Sequence, residues 1–452
     1  MRFDEAVLSR ETIRRRRYLE ILESALAAVD PYEAVAAVLR REGDTLKAGD
    51  RGIPLVGFRR VLVVGAGKAG APMARAVEDC LDSKVAGGLV VVKTGHSSPT
   101  RRVEIVEASH PIPDAAGVAA GSRMLRLLEE TQADDLVIAV ISGGGSALLE
   151  APAGITLDDL QAMTDALLAC GATINEINCL RKHMSAVKGG QLARASHPAT
   201  LVTLVLSDVV GSPLDVIASG PTVPDSSTWA DAWAVVESYG LEQRLPAAVI
   251  ERLRAGLAGA IADTPKPGDA IFERTQTIIV ADNRIAALAA CARAEALGYS
   301  ALLLSTYVEG EAAGVARVAV ALGKEVQASH HPVAPPACLV LGGETTVTLG
   351  ASPGHGGRNQ ELALAAALAL DGTTGITVAA LATDGTDGPT DSAGGLADAA
   401  TVARGRAAGL DAVAYLRGHD AYPFLHATGD LLLSGPTQTN VNDLLFVFVE
   451  PG

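Results

Sequence analysis

Residues 342–361, GGETTVTLGASPGHGGRNQE, decide how this chain reads. The run leading into them, ACLVLGGE (337–344), is apolar, is bounded by Pro335-Pro336 and a glycine pair, and is too short for a helix. It therefore predicts a buried strand. After the turn, GHGGRNQE opens into ELALAAALAL (361–370), which predicts a helix. Strand, glycine turn and helix together throw Glu344, Arg358 and Asn359 to the tip of a sheet, beside helix-terminal N–H groups that suit an anion. Gly342, Gly343, Gly354, Gly356 and Gly357 in so short a span predict close approach of the backbone to a ligand.

The same design recurs upstream. RRVLVVGAGKAGAPMARAVEDCL is strand, turn and helix, and its GAGKAG has GxGxxG spacing from Gly65 through Gly67 to Gly70. That spacing alone suits a dinucleotide. A nicotinamide enzyme, however, wants an acid at the end of the next strand, and GLVVVKTG offers Lys93. The segment is not a Walker loop either, because Ala69 follows Lys68 where Ser or Thr is required. What remains is Lys68 as a point charge beside a helix N-terminus, placed for a transferring phosphoryl group. SHPIPD (109–114) predicts a helix N-cap at Asp114 and leaves His110 as a structural residue. DDLVIAVISGGGSALLEAP repeats the unit, and Ser142, Gly143, Gly144, Gly145 and Ser146 predict a concave run of N–H donors for phosphate or carboxylate.

In ATINEINCLRKHMSAVKGGQLARA, Arg181, Ser185 and Lys188 share a helical face by their spacing, a candidate contact for nucleotide phosphates. Asp208 closes a long apolar strand, where α/β proteins place a metal ligand or base. Late in the chain, LATDGTDGPTDSAGG sets Asp384, Asp387 and Asp391 in one loop; it does not continue as a calcium hand, and magnesium or hydroxyl binding is the sharper idea. Asn440, Asn442 and Asp443 of TNVNDL read as turn chemistry rather than as catalytic groups.

With 452 residues, 48% of them hydrophobic, and mean hydropathy +0.27, the chain has material for two to three globular domains. Lys and Arg number 37 against 52 Asp and Glu, a formal charge of −15, which excludes a general nucleic-acid or anionic-membrane partner. The basic run Arg14 to Arg17 is flanked by Glu11, Glu20 and Glu23 and reads as a solvated helix face. Five cysteines show no CxxC or zinc spacing, and neither an apolar signal core nor a membrane span is evident, so the expected location is cytoplasmic.

The motifs GGET, GGRNQE, LATDGTDGPTDSAGG and TNVNDL resemble the MOFRL-family glycerate kinases, over about Ile21 to Val449. The resemblance implies ATP-dependent phosphorylation of D-glycerate to 2-phosphoglycerate, with Lys68 matching the family's catalytic lysine. Many family members have carried the label hydroxypyruvate reductase, and an NAD(P)H-dependent reductase is the alternative. The expected fold is α/β in two lobes, each a largely parallel sheet with helices on both faces. Residues 1–262 form a Rossmann-like lobe and 263–452 a MOFRL-type lobe, with the active site in the cleft between them. Lys68, Arg358 and Asp208 are the expected catalytic residues. Gly65, Gly67, residues 142–146, Arg181, Lys188, Glu344, Asn359 and Asp384 are expected to bind substrate or nucleotide. ATP and Mg²⁺ are the expected cofactors, with Asp208 and Asp384 as metal ligands. A homodimer is compatible with the sequence and not specified by it.

Overall fold

Apolar runs ending in glycine or acidic tips become the strands of two separate six-stranded sheets in a computed structural model, which describes residue 3 and residues 13–451. The chain divides into two compact units: Pro31–Val280, and Met1–Asp30 together with Ala281–Gly452. The architecture is α/β in both.

In the first unit the sheet runs in the order Val103–Ala108, Val85–Lys93, Arg60–Ala66, Asp135–Ile141, Thr200–Leu206, Thr275–Ala281. The ladders joining the first five strands are all parallel. Every residue of Asp135–Ile141 is buried, as a central strand covered on both faces demands. Parallel strands need crossovers, supplied here by helices Gly70–Leu81 and Ala115–Glu129 among others. Asp114 caps the latter, accepting from the Gly117 N–H at 2.9 Å, as its sequence position predicts. A small antiparallel sheet, Leu39–Glu42, Thr45–Ala48 and Arg51–Pro54, completes the unit.

The boundary differs from the one expected at 262/263. The segment 259–272 reads as a linker by composition, yet the following strand Thr275–Ala281 is the sixth strand of the first sheet. The Leu201 N–H, for instance, bonds the Arg274 carbonyl at 3.0 Å.

The second unit's sheet has the order Ser300–Glu311, Ala337–Thr346, Asp443–Val449, Ile376–Ala382, Gly394–Asp398, Leu431–Leu432. Only the first pair is parallel. Asp443–Val449 lies antiparallel between Ala337–Thr346 and Ile376–Ala382, which corrects the expectation of a largely parallel second sheet. All seven of its residues are buried, and such a run looks the same in either direction. The reversal matters for the site: the first residue of this strand, Asp443, pairs with Gly343 and Ala382 at the carboxyl ends of both neighbours.

Helix Ile13–Ala28 belongs to the second unit and packs on Asn283–Ala296. Its basic run departs from the expected solvated face at Arg15. Arg16 and Arg17 are exposed, but Arg15 is buried, its Nη2 lying 2.7 Å from Asp430 and 3.0 Å from Asp398. Tyr18 stacks on Phe448 with centroids 4.0 Å apart and donates to Glu450. Glu11 and the side chain of Arg14 lie outside the described residues. Among the described residues no helix is long and apolar enough to cross a membrane, and all five cysteines are free.

Candidate functional site

Two clusters of chemistry emerge, one in each unit. In the first unit, Lys68 follows strand Arg60–Ala66, in a turn locked onto the next strand tip. The Lys68 N–H donates to the Gly143 carbonyl at 2.9 Å, and the Ala69 N–H to Ser142 Oγ at 3.0 Å. Packing accounts for all three glycines of the GxGxxG spacing. A Cβ on Gly65 would stand 1.9 Å from the Val140 carbonyl, one on Gly67 2.1 Å from Ser142 Oγ, and one on Gly70 2.7 Å from Val90.

The Ser142–Ser146 turn carries Asp208 and His110 against it. A Cβ on Gly143 would lie 2.0 Å from Asp208 Oδ2, so glycine is what admits that carboxylate. Next to it, the Cβ position of Gly144 (φ +81°) is 3.0 Å from the His110 ring and 3.5 Å from Lys68 Cε. His96 Nδ1 sits 3.2 Å from the Lys68 carbonyl. Burial, together with the charges of Lys68 and Lys93 and the neighbouring His96, pushes His110 down from 6.5 to about 4; His96 is likewise lowered, chiefly by burial. The turn's N–H groups at Gly143 and Gly144 find no acceptor among the described residues. Basic side chains and open donors at parallel strand tips make a cradle for an anion. His110, read from the sequence as structural, lies two residues beyond Val103–Ala108, at a strand tip of the same sheet.

The cationic helix face does not open onto a ligand. Lys188 is 1% exposed, with its Nζ 2.8 Å from Glu150 and donating to the Leu149 carbonyl at 2.8 Å. Burial lowers its pKa to about 8 despite Glu150. Arg181 donates to the Ser146 carbonyl at 2.7 Å, with Glu150 at 3.5 Å, and Ser185 is buried. These residues brace the turn from behind. The helix stops at His183, so Ser185 and Lys188 lie in the turns beyond it and the helical spacing expected to align them with Arg181 does not apply.

In the second unit, Arg358 is the first residue of helix Arg358–Leu370. Asp387, buried, caps that helix by accepting from the N–H groups of Asn359 at 3.1 Å and Gln360 at 2.8 Å; burial raises its pKa. Asn359 is buried and also donates its side-chain amide to Asp387, so it is a capping partner and not an exposed ligand group. Arg358 Nε and Nη2 donate to the two oxygens of Asp443 at 2.5 and 3.1 Å, and Nη1 lies 2.9 Å from Glu344. Burial pushes Asp443 up to about 6, with Asp387 adding to the effect and Arg358 opposing it. A cavity of about 410 Å³ opens beside Arg358, lined also by Asp384, Thr386, Glu361 and His419. Asp391 is turned aside to accept from Tyr422 at 2.8 Å. Among the described residues no group of three or more His, Cys, Asp or Glu side chains is placed to hold a metal.

A glycine-turn cradle with a lysine at its rim, and a guanidinium facing an acid-lined cavity, suit a small-molecule phosphotransferase of α/β type. Comparison with known proteins is more specific. Residues 17–254 match a domain family of unknown function, DUF4147, and residues 337–443 match the MOFRL family. The chain is 40% identical to a glycerate 2-kinase of Pyrococcus horikoshii, over 95% of this chain and 96% of that one. It is 44% identical to an Agrobacterium vitis protein provisionally named a hydroxypyruvate reductase, over 98% and 95%. The crystal structure of a glycerate kinase from Thermotoga maritima superposes with a TM-score of 0.87 at 40% identity, covering 96% of this chain and 99% of that one. The chain belongs to the MOFRL-family glycerate kinases.

Proposed function

We propose that this enzyme transfers the γ-phosphoryl group of ATP to the 2-hydroxyl of D-glycerate. The observation that carries the reading is Lys68: a lysine with no counter-ion among the described residues, at the rim of a glycine turn with open N–H donors. Phosphoryl transfer asks a protein mainly for positioning and for fixed positive charge, which such a site supplies. Full-length likeness to glycerate 2-kinases supports glycerate as the acceptor.

In this reading the acceptor hydroxyl loses its proton to solvent and its oxygen bonds the γ-phosphorus while the bond to ADP breaks, and Lys68 takes up charge developing on the transferring group. The Ser142–Ser146 turn holds phosphate oxygens. Asp208, a hard oxygen donor against that turn, fits Mg²⁺, which is commonly held by one or two carboxylates with phosphates and waters completing its shell. Bound there, the metal would neutralise phosphate charge. Asp384, whose Oδ1 accepts from the Thr386 N–H at 3.0 Å, is the second candidate carboxylate. Arg358 receives the glycerate carboxylate through the N–H groups that Asp443 leaves uncommitted, and Glu344 steadies its Nη1. Cytoplasmic residence and self-association as a homodimer remain part of the reading.

The reductase name finds no support in the site, since packing accounts for the GxGxxG glycines and the next strand ends in Lys93. Assaying one preparation for ADP release with glycerate and for NAD(P)H oxidation with hydroxypyruvate separates the two. ADP release that stops in excess chelator is expected; NAD(P)H oxidation without ADP release would overturn the kinase reading.

A further inference from the structure

Arg358 faces two acids in the second unit, Asp443 and Glu344, and Asp443 lies in a motif that reads as turn chemistry. Asp443 opens the one strand inserted antiparallel between Ala337–Thr346 and Ile376–Ala382, which alone brings its carboxylate to their carboxyl ends. Its two oxygens take the Nε and Nη2 edge of Arg358, 2.5 and 3.1 Å away. Asp443 is itself fixed from behind: Asn283 donates its amide to the Asp443 and Val441 carbonyls, both at 2.9 Å. A Cβ on Gly342 would strike Asn283 Oδ1 at 1.7 Å, so a glycine is needed for that amide to reach. The pair is asymmetric in exposure, the Asp443 side chain 10% exposed and that of Arg358 33%. The acid is inside and the guanidinium reaches out to the cavity. Of the five N–H groups of a guanidinium, those on Nη1 and the second on Nη2 remain beyond the Asp443 edge.

We propose that Asp443 is a positioning residue for catalysis, holding the Arg358 fork so that its outer N–H groups face the substrate anion. The alternative is an ion pair that only supports the fold. The geometry favours positioning, because Asp443 takes one planar edge of the fork and so fixes the plane of the guanidinium, which a point contact would not. This inference rests on the reading of Arg358 as a substrate-binding group.

The test is a double-mutant cycle on the full chain: Arg358→Ala, Asp443→Asn and both together, each measured for kcat, KM for glycerate and Tm. Asp443→Asn should raise KM for glycerate by about ten- to a hundredfold, the cost of a misplaced positioning group, with a smaller fall in kcat. In the Arg358→Ala background the same change should alter kcat/KM less than about twofold, because its target is gone. It should also raise the Tm of Arg358→Ala, since that variant buries an unpaired carboxylate. Losses that multiply in the double variant, or an Asp443→Asn enzyme with wild-type KM beside an impaired Arg358→Ala enzyme, would overturn the positioning role alone. Wild-type kcat/KM in Arg358→Ala would overturn the reading of Arg358 and this inference with it.

Discussion

Lys68 and Arg358 are both cations at strand tips, but the two units treat them differently. Arg358 is matched by Asp443 and Glu344, and its helix start is matched by Asp387. Lys68 forms no ion pair among the described residues, and its neighbours Lys93, His96 and His110 are basic too. A compensated cation is held still and costs little to keep. An uncompensated group of basic side chains is unfavourable until an anion arrives, so its binding energy is reserved for ligand or transition state. The first unit therefore looks built to stabilise charge, the second to orient a partner.

That contrast can be broken most forcefully behind the Lys68 cradle. Lys188→Ala should leave buried Glu150 with only the longer contact to Arg181, lowering stability by up to roughly 3–5 kcal/mol, as is typical when one member of a buried pair is removed. Thermal or urea unfolding measures it. An unchanged melt accompanied by a raised KM for ATP would instead return Lys188 to the nucleotide. Lys68→Ala should do the reverse, losing on the order of 10²–10³ in kcat, or roughly 3–4 kcal/mol, while Tm holds. Retention of more than about a third of wild-type kcat/KM, a change below ~0.7 kcal/mol, would make the turn structural.

A smaller effect comes from His110. Its folded pKa of about 4 lies below the unfolded 6.5, so the unfolded chain binds more protons between those values. Stability should be intact above pH 6.5 and decline as pH falls toward 4, with His96 contributing in the same direction. His110→Gln should flatten part of that slope in Tm measured against pH. An identical slope in the variant would show that the ring does not lie in the basic cluster.

The strand, turn and helix units were legible because apolar runs closed by glycines have few other solutions, and the strand predicted at 337–344 extends only to Thr346. Direction was not legible. DLLFVFV is buried throughout, so nothing in it announces an antiparallel strand, and Asp443 was left in a turn. The helical face expected for Arg181, Ser185 and Lys188 failed for a related reason: helix Ile174–His183 stops before the last two, and Glu150 draws Arg181 and Lys188 inward. Arg15 repeats the lesson, since Asp430, which neutralises it, lies 415 residues away in sequence. Lys68, Ser142–Ser146 and Asp208 were legible together because each follows a parallel strand of one sheet, and parallel tips converge on one edge. His110 follows such a strand as well.

The proposed reaction is transfer of a phosphoryl group from ATP to a specific hydroxyl of glycerate. The phosphorus NMR spectrum of the product formed from D-glycerate, ATP and Mg²⁺ tests that most directly. The account predicts stoichiometric ADP and a single new phosphomonoester resonance whose coupling places it on the secondary carbon, as 2-phosphoglycerate. A resonance coupled to the primary CH₂ alone, as in 3-phosphoglycerate, would contradict the 2-kinase assignment, and no new phosphomonoester at all would contradict the phosphotransferase itself.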